Sequence, residues 1–149
     1  MRFLLYDRII TLNKGNSIVG TKSFSLSDEY FRGHFKKQTH VSGVFYIEAM
    51  AQLLGWLIIY SHDFMLSPFM SLVEKVHFEA ALRPDFKAEI HAQLVSTSMT
   101  DSLGRAQMYV DGQQIASLDR IIYSHSSRVD PLKLRQLFSY YSGWSLPSV

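Results

Sequence analysis

The sequence predicts an α+β domain in which an antiparallel sheet wraps around one long central helix, with a short helix at the C-terminal end. Residues 44–60 are apolar on every side over a helical length, so the helix should be covered on most of its surface. After Pro68 the pattern changes to the alternation of β-strands, with turn residues between the runs. A helix without a polar face and several long strands favour one shared core.

The remaining elements follow from local patterns along the chain. The predicted strands cover residues 7–12, 18–26, 70–78, 87–97, 105–110 and 113–123. Turns are predicted at residues 13–17, at 101–104, and at Asp111-Gly112, which is a strong hairpin signal. Asp130-Pro131 is typical of a helix start and predicts a short amphipathic helix over 132–141. We therefore expect a domain at 1–127, followed by a helical extension and tail at 128–149.

Composition limits the classes of function. The chain has 149 residues, which suits one domain, and an apolar fraction of 47% supports a full core. A net charge of +2 without a long basic run gives nucleic-acid binding little support. The sequence contains no cysteine, which excludes disulfides, thiolate nucleophiles and cysteine-ligated zinc, and which suits a reducing compartment.

We also expect neither a signal peptide nor membrane insertion. Charges at Asp7 and Arg8 interrupt the N-terminal apolar run too early for a signal peptide. The single segment of near-membrane length, residues 44–60, contains Glu48 and Gln52. A helix buried inside the protein is the better interpretation, and a cytoplasmic location is expected.

Two ionisable residues form a candidate acid/base pair. His34 lies in the short polar loop Gly33-His34-Phe35, and Glu48 lies inside the apolar helix. A buried carboxylate is costly unless it has a partner, and a histidine can exchange a proton near neutral pH. Each residue also has a structural interpretation, since His34 can be a loop histidine without a role and Glu48 can reach solvent or a structural partner.

Three residues share one face of the predicted helix. Glu48, Gln52 and Gly55 follow one another at spacings of four and three. A glycine inside a helix lowers its propensity, and close packing of another backbone is the usual reason. Ser42 is a candidate N-cap for this helix.

The motif Phe31-Arg32-Gly33-His34-Phe35 and the run from Gly43 to Gln52 resemble a known family. They are similar to the hotdog-fold (3R)-hydroxyacyl-acyl-carrier-protein dehydratases of fatty-acid synthesis, the FabZ/FabA type. The resemblance extends over residues 7–123, and the spacing between the two motifs matches the family without a gap. It implies a hotdog fold and a dehydratase-like domain at 1–127.

By this resemblance, His34 is the base that removes a proton from the carbon next to the thioester carbonyl. Glu48 carries the proton that leaves with the β-hydroxyl as water, and Gln52 orients the Glu48 carboxyl. Gly43 and Val44 bind the thioester carbonyl at the helix start, where free N–H groups favour developing negative charge. The resemblance implies no metal and no organic cofactor.

The resemblance also implies partners. The substrate is an acyl carrier protein that bears a 3-hydroxyacyl chain, in fatty-acid synthesis or a related polyketide or aryl-polyene pathway. The protein is expected to form a homodimer, or a trimer of dimers, in which the histidine and glutamate of one site come from different subunits.

The chain departs from the family pattern in the loop before the helix. Lys36-Lys37 stands where Pro-Gly is usual, and Ser42 stands where proline is usual. Two other interpretations therefore stay open: a hotdog acyl thioesterase, and a non-catalytic hotdog protein that binds an acyl carrier.

Overall fold

The computed structural model describes residues 4–31 and 40–147. Within these ranges the chain forms six strands and two α-helices. In chain order they are β1 (Arg8–Asn13), β2 (Ser17–Phe24), α1 (Gly43–Ser61), β3 (Ser67–Phe78), β4 (Phe86–Thr97), β5 (Asp101–Val110), β6 (Gln113–Ser126) and α2 (Pro131–Ser142). A single 3-10 turn, Glu29–Phe31, follows β2.

The strands form one antiparallel sheet in the order β1-β2-β4-β5-β6-β3. β4, β5 and β6 are consecutive neighbours, and the last hairpin turns at Asp111 and Gly112, which both have positive φ. β2 and β3, which flank α1 in the chain, lie towards opposite edges of the sheet. The chain between them therefore crosses the sheet, and α1 lies on that crossing.

Helix α1 is the centre of the hydrophobic core. Nine of its residues are buried, and they are distributed around its circumference: Tyr46, Ala49, Met50, Ala51, Leu53, Leu54, Leu57, Ile58 and Ile59. Apolar residues from all strands but β3 belong to the same buried cluster. The helix has the length and hydropathy of a membrane span, yet 56% of that window is buried inside the fold. It is therefore a core helix, as the sequence predicts.

Two glycines in the sheet allow α1 to approach it closely. A Cβ at Gly20 would lie 2.9 Å from Leu53 Cδ1, and a Cβ at Gly104 would lie 2.6 Å from Leu54 Cδ2.

The predicted turn at 101–104 is wrong, because these residues begin β5. The chain reverses just before them, where Ser98 N–H donates to the Asp101 carbonyl (2.8 Å). Gly104 makes room for a leucine of α1 and does not form a turn.

Helix α2 begins where the sequence predicts and docks on α1. Asp130 Oδ1 accepts a hydrogen bond from Lys133 N–H (3.2 Å), and Pro131 is the first helical residue. The helix ends at Gly143, whose φ of 66° is left-handed. Phe138 is fully buried. Its ring centroid lies 5.4 Å from that of Trp56, 5.9 Å from that of Tyr60 and 5.6 Å from that of Phe64.

Candidate active site

The described residues contain part of the predicted site. His34 falls within residues 32–39, outside the described ranges, and so do Gly33 and Lys36-Lys37. The role of His34 as the base therefore stays a prediction. Gly43, Val44, Glu48 and Gln52 all lie in the first half of α1.

Glu48 and Gln52 form a hydrogen-bonded pair one helical turn apart. Gln52 Nε2 donates to Glu48 Oε1 (2.8 Å), and Gln52 Oε1 accepts from the backbone N–H of Leu5 (2.9 Å). The Leu5 donor fixes which end of the amide faces Glu48, because an N–H must meet the amide oxygen. Among the described residues, only Gln52 hydrogen-bonds the Glu48 carboxyl, so Oε2 remains for another partner.

A cavity of about 370 Å³ lies over this pair. Glu48 and Gln52 contribute polar groups, and most of the other wall residues are apolar or aromatic. Along α1 the wall continues through Gly55, Trp56 and Ile59. The facing wall includes Leu4, Pro68, Met70, Tyr123 and Tyr141. A cavity with apolar walls and a few convergent polar groups is typical of a small-molecule site.

Tyr123 supports the cavity wall beside Glu48. Its hydroxyl donates to the Ala51 carbonyl (2.6 Å), and its side chain is buried. Burial raises the pKa of Tyr123, and the negative charge of Glu48 raises it further. The phenol therefore stays protonated at neutral pH and holds the strand against the helix.

Gly43 and Val44 begin α1 at a different place on the surface. Ser42 is the N-cap residue, as predicted, but its side chain makes no capping hydrogen bond. Gly43 lines a second cavity of about 240 Å³ with Tyr46 and Phe78, whereas Val44 is 69% exposed. Within one chain, the structure thus places Gly43 and Glu48 in separate cavities.

The sequence placed Gly55 on one helix face with Glu48 and Gln52, but it did not indicate that Trp56 and Tyr141 line the same cavity. The helical spacing of Gly55 from Gln52 was the available signal, but close backbone packing is the wrong reason for this glycine. Among the described residues, a Cβ there would meet only Pro68 Cγ, at 3.8 Å, which is an ordinary contact. Gly55 instead leaves space in the cavity.

A larger cavity of about 590 Å³ lies elsewhere, beside β4. Its wall includes Glu89, His91 and Tyr109, and His91 Nε2 lies 2.5 Å from Glu89 Oε1. Of the predicted site residues that the structure describes (Gly43, Val44, Glu48 and Gln52), none lines this cavity, so cavity size alone does not identify the site.

Comparison with known proteins places the chain in a family. Residues 1–119 match the model of the FabA-like domain. The 3-hydroxyacyl-[acyl-carrier-protein] dehydratase FabZ of Caldicellulosiruptor saccharolyticus is 32% identical over 114 residues, which cover 76% of this chain and 81% of the relative. The FabZ of Nitratiruptor is 33% identical over 125 residues, covering 78% of this chain and 84% of the relative.

Solved structures share the fold at low identity. The dehydratase heterocomplex ApeI:P from Xenorhabdus doucetiae superposes with a TM-score of 0.68 at 17% identity, covering 91% of this chain and 89% of its own. A Streptococcus mutans protein bound to acetyl-CoA superposes with a TM-score of 0.65 at 11% identity, covering 85% of this chain and 92% of its own. At such identities the likeness concerns the fold alone.

The sheet around one buried helix defines a hotdog-fold protein, which confirms the predicted fold. The FabZ relatives place it in the dehydratase class. The chain belongs to the FabA-like family. The family match ends at residue 119, so α2 lies outside it.

Proposed function

We propose that the protein is a (3R)-hydroxyacyl-[acyl-carrier-protein] dehydratase, a hydro-lyase that converts a 3-hydroxyacyl thioester into the trans-2-enoyl thioester and water. The observation that carries the proposal is the Glu48 carboxyl, held by Gln52 in the wall of a largely apolar cavity. Membership of the FabA-like family and the identity with FabZ dehydratases support it.

The elimination needs one base and one acid on adjacent carbons. His34 accepts the proton from the carbon next to the carbonyl, and the electrons of that C–H bond form the double bond. The C–O bond of the β-hydroxyl breaks, and Glu48 in its protonated form donates the proton that completes the water molecule. The Gln52 amide contacts Oε1, which leaves Oε2 to carry that proton. Positioned acid and base groups typically contribute ~10²–10⁴-fold each.

The start of α1 supplies electrostatic stabilisation in this proposal. As the proton leaves, negative charge builds on the thioester carbonyl oxygen. Gly43 is the first residue of α1, and the first N–H groups of a helix have no acceptor within it. Gly43 and Val44 are therefore proposed to donate to the carbonyl oxygen, where the helix dipole also favours negative charge.

A second copy of the chain is proposed to complete the site. β3 is an edge of the described sheet, and it exposes Phe69, Met70, Leu72 and Phe78. An exposed, apolar strand edge favours pairing with another chain. In the proposed homodimer, or trimer of dimers, His34 reaches the Glu48 of the partner subunit. This arrangement agrees with the separation of Gly43 from Glu48 within one chain.

The acyl group is proposed to arrive on an acyl carrier protein in the cytoplasm, within fatty-acid synthesis or a related polyketide or aryl-polyene pathway. The FabZ relatives are named for such a substrate. Arg32 and Lys36-Lys37 lie near His34 in the sequence, and they give the loop a positive charge that suits an acidic carrier. The division into a domain at 1–127 and an extension at 128–149 remains part of the proposal.

The test is hydration of a trans-2-butenoyl thioester, followed as loss of its ultraviolet absorbance. The Glu48→Gln and His34→Ala variants should each lose ~10²-fold or more of the rate. Glu89→Gln is the matched control for the acid, because Glu89 lines the larger cavity away from Glu48. His40→Ala is the control for the base, because His40 is exposed in the same loop. Both control variants should keep the wild-type rate.

A thiol reagent in a parallel reaction separates the two other interpretations. Release of free thiol without hydration would identify a thioesterase, and binding of the acyl carrier without either reaction would identify a non-catalytic protein. Wild-type rates in both Glu48→Gln and His34→Ala would overturn the residue roles.

A further inference from the structure

The Glu48 cavity extends along α1 away from the proposed acid. It includes Glu48, Gly55 and Trp56, and residues 48 and 56 are about 12 Å apart along a helix at about 1.5 Å per residue. Along α1, the polar groups of Glu48 and Gln52 come first and the ring of Trp56 follows one turn after Gln52, whereas Tyr123 lies beside Glu48. If the β-carbon of the substrate is beside Glu48, the rest of the acyl chain extends towards Trp56.

Helix α2 contributes to the cavity wall near Trp56, whose ring centroid lies 5.4 Å from that of Phe138 on α2. Tyr141, in the last turn of α2, lines the cavity together with Trp56. Because α2 lies beyond residue 119, where the family match ends, this wall is an addition to the matched domain.

Packing holds Tyr141 in place. Phe138, one turn earlier, is fully buried among the rings of Trp56, Tyr60 and Phe64. The helix ends at the next residue, Ser142, whose Oγ donates to the Phe138 carbonyl (2.5 Å), and Gly143 then adopts a left-handed conformation. A side chain fixed in this way can exclude a ligand by its shape.

We propose that Tyr141 determines which acyl groups the enzyme accepts, by closing the far end of the Glu48 cavity to all but short chains. This inference rests on the proposed dehydratase function. Removing the Tyr141 ring lengthens the cavity without touching Glu48 or Gln52.

The experiment compares butenoyl, hexenoyl, octenoyl and decenoyl pantetheine thioesters as substrates for hydration. In Tyr141→Ala, kcat/KM for the longer thioesters should rise about tenfold or more relative to butenoyl, since one methylene in an apolar pocket is worth ~10–200-fold. Tyr141→Phe keeps the ring and should keep the wild-type order of preference. Leu132→Ala is the matched control, because Leu132 lies on α2 and is 64% exposed.

Calorimetric binding of the saturated acyl pantetheines gives a readout that does not need turnover. A shift towards longer chains in Tyr141→Ala, without turnover in the wild type, would retain the role of Tyr141 and reject the dehydratase. If Tyr141→Ala fails to fold in a thermal melt, Tyr141→Leu replaces it with the same expected direction. An unchanged chain-length profile in a folded variant, or the same shift in Leu132→Ala, would overturn the inference.

Discussion

Replacing Gly55 by alanine should stabilise the protein and make the Glu48 cavity smaller. Gly55 lies in the interior of α1, where glycine is less favourable than alanine by about 1 kcal/mol. An added Cβ would lie 3.8 Å from Pro68 Cγ, so it enters free space and causes no clash. The expected gain is about 1 kcal/mol in the free energy of unfolding, which corresponds to about 2–4 °C in Tm for a chain of this size.

The same methyl group enters the cavity proposed for the acyl chain. We expect kcat/KM for octenoyl thioester to fall about tenfold relative to butenoyl in Gly55→Ala. Thermal melts followed by far-ultraviolet circular dichroism measure the stability. Gly104→Ala is the matched control, since its Cβ would lie 2.6 Å from Leu54 Cδ2, and overpacking costs about 1–3 kcal/mol. A lower Tm for Gly55→Ala would refute the reasoning and restore close packing as the role of this glycine.

Three further outcomes are expected. Gln52→Leu should lower kcat about tenfold or more with little change in KM, because Glu48 loses its orienting donor; an unchanged kcat in steady-state kinetics would contradict this role. Phe138→Ala should lower the free energy of unfolding by about 3–5 kcal/mol in urea melts, and a loss below 1 kcal/mol would mean that α2 is not anchored there. Burial, and then the charge of His125, lower the pKa of His62 below its ordinary 6.5. The unfolded chain then binds more protons, so stability should fall as pH drops below 6.5, and urea midpoints of His62→Gln should depend less on pH in that range.

Local patterns predicted most of the fold. The all-round apolar character of α1 and the alternation in β4 each reflect one packing environment that acts along the whole element. The predicted turn at 101–104 was wrong for a physical reason. Glycine is favoured in turns, but it is also favoured wherever a neighbouring side chain occupies the space that a Cβ would fill. Only the position of Leu54 in three dimensions distinguishes the two cases.

The site was predictable where its contacts are local. Glu48 and Gln52 are four residues apart on a helix, so their pairing follows from spacing. The bond from Leu5 to Gln52 spans 47 residues, and Tyr141 reaches the cavity from a helix beyond the sheet. No periodicity in the sequence encodes either contact, because each depends on how separate elements dock.

The donor that fixes the Gln52 amide belongs to the main chain at Leu5. Every amino acid except proline supplies that N–H group, so the donor does not depend on a particular polar side chain at this position. The geometry of the proposed acid therefore requires no conserved polar residue in the N-terminal segment. It depends on the path of the backbone there, which the burial of Leu5 and Tyr6 maintains.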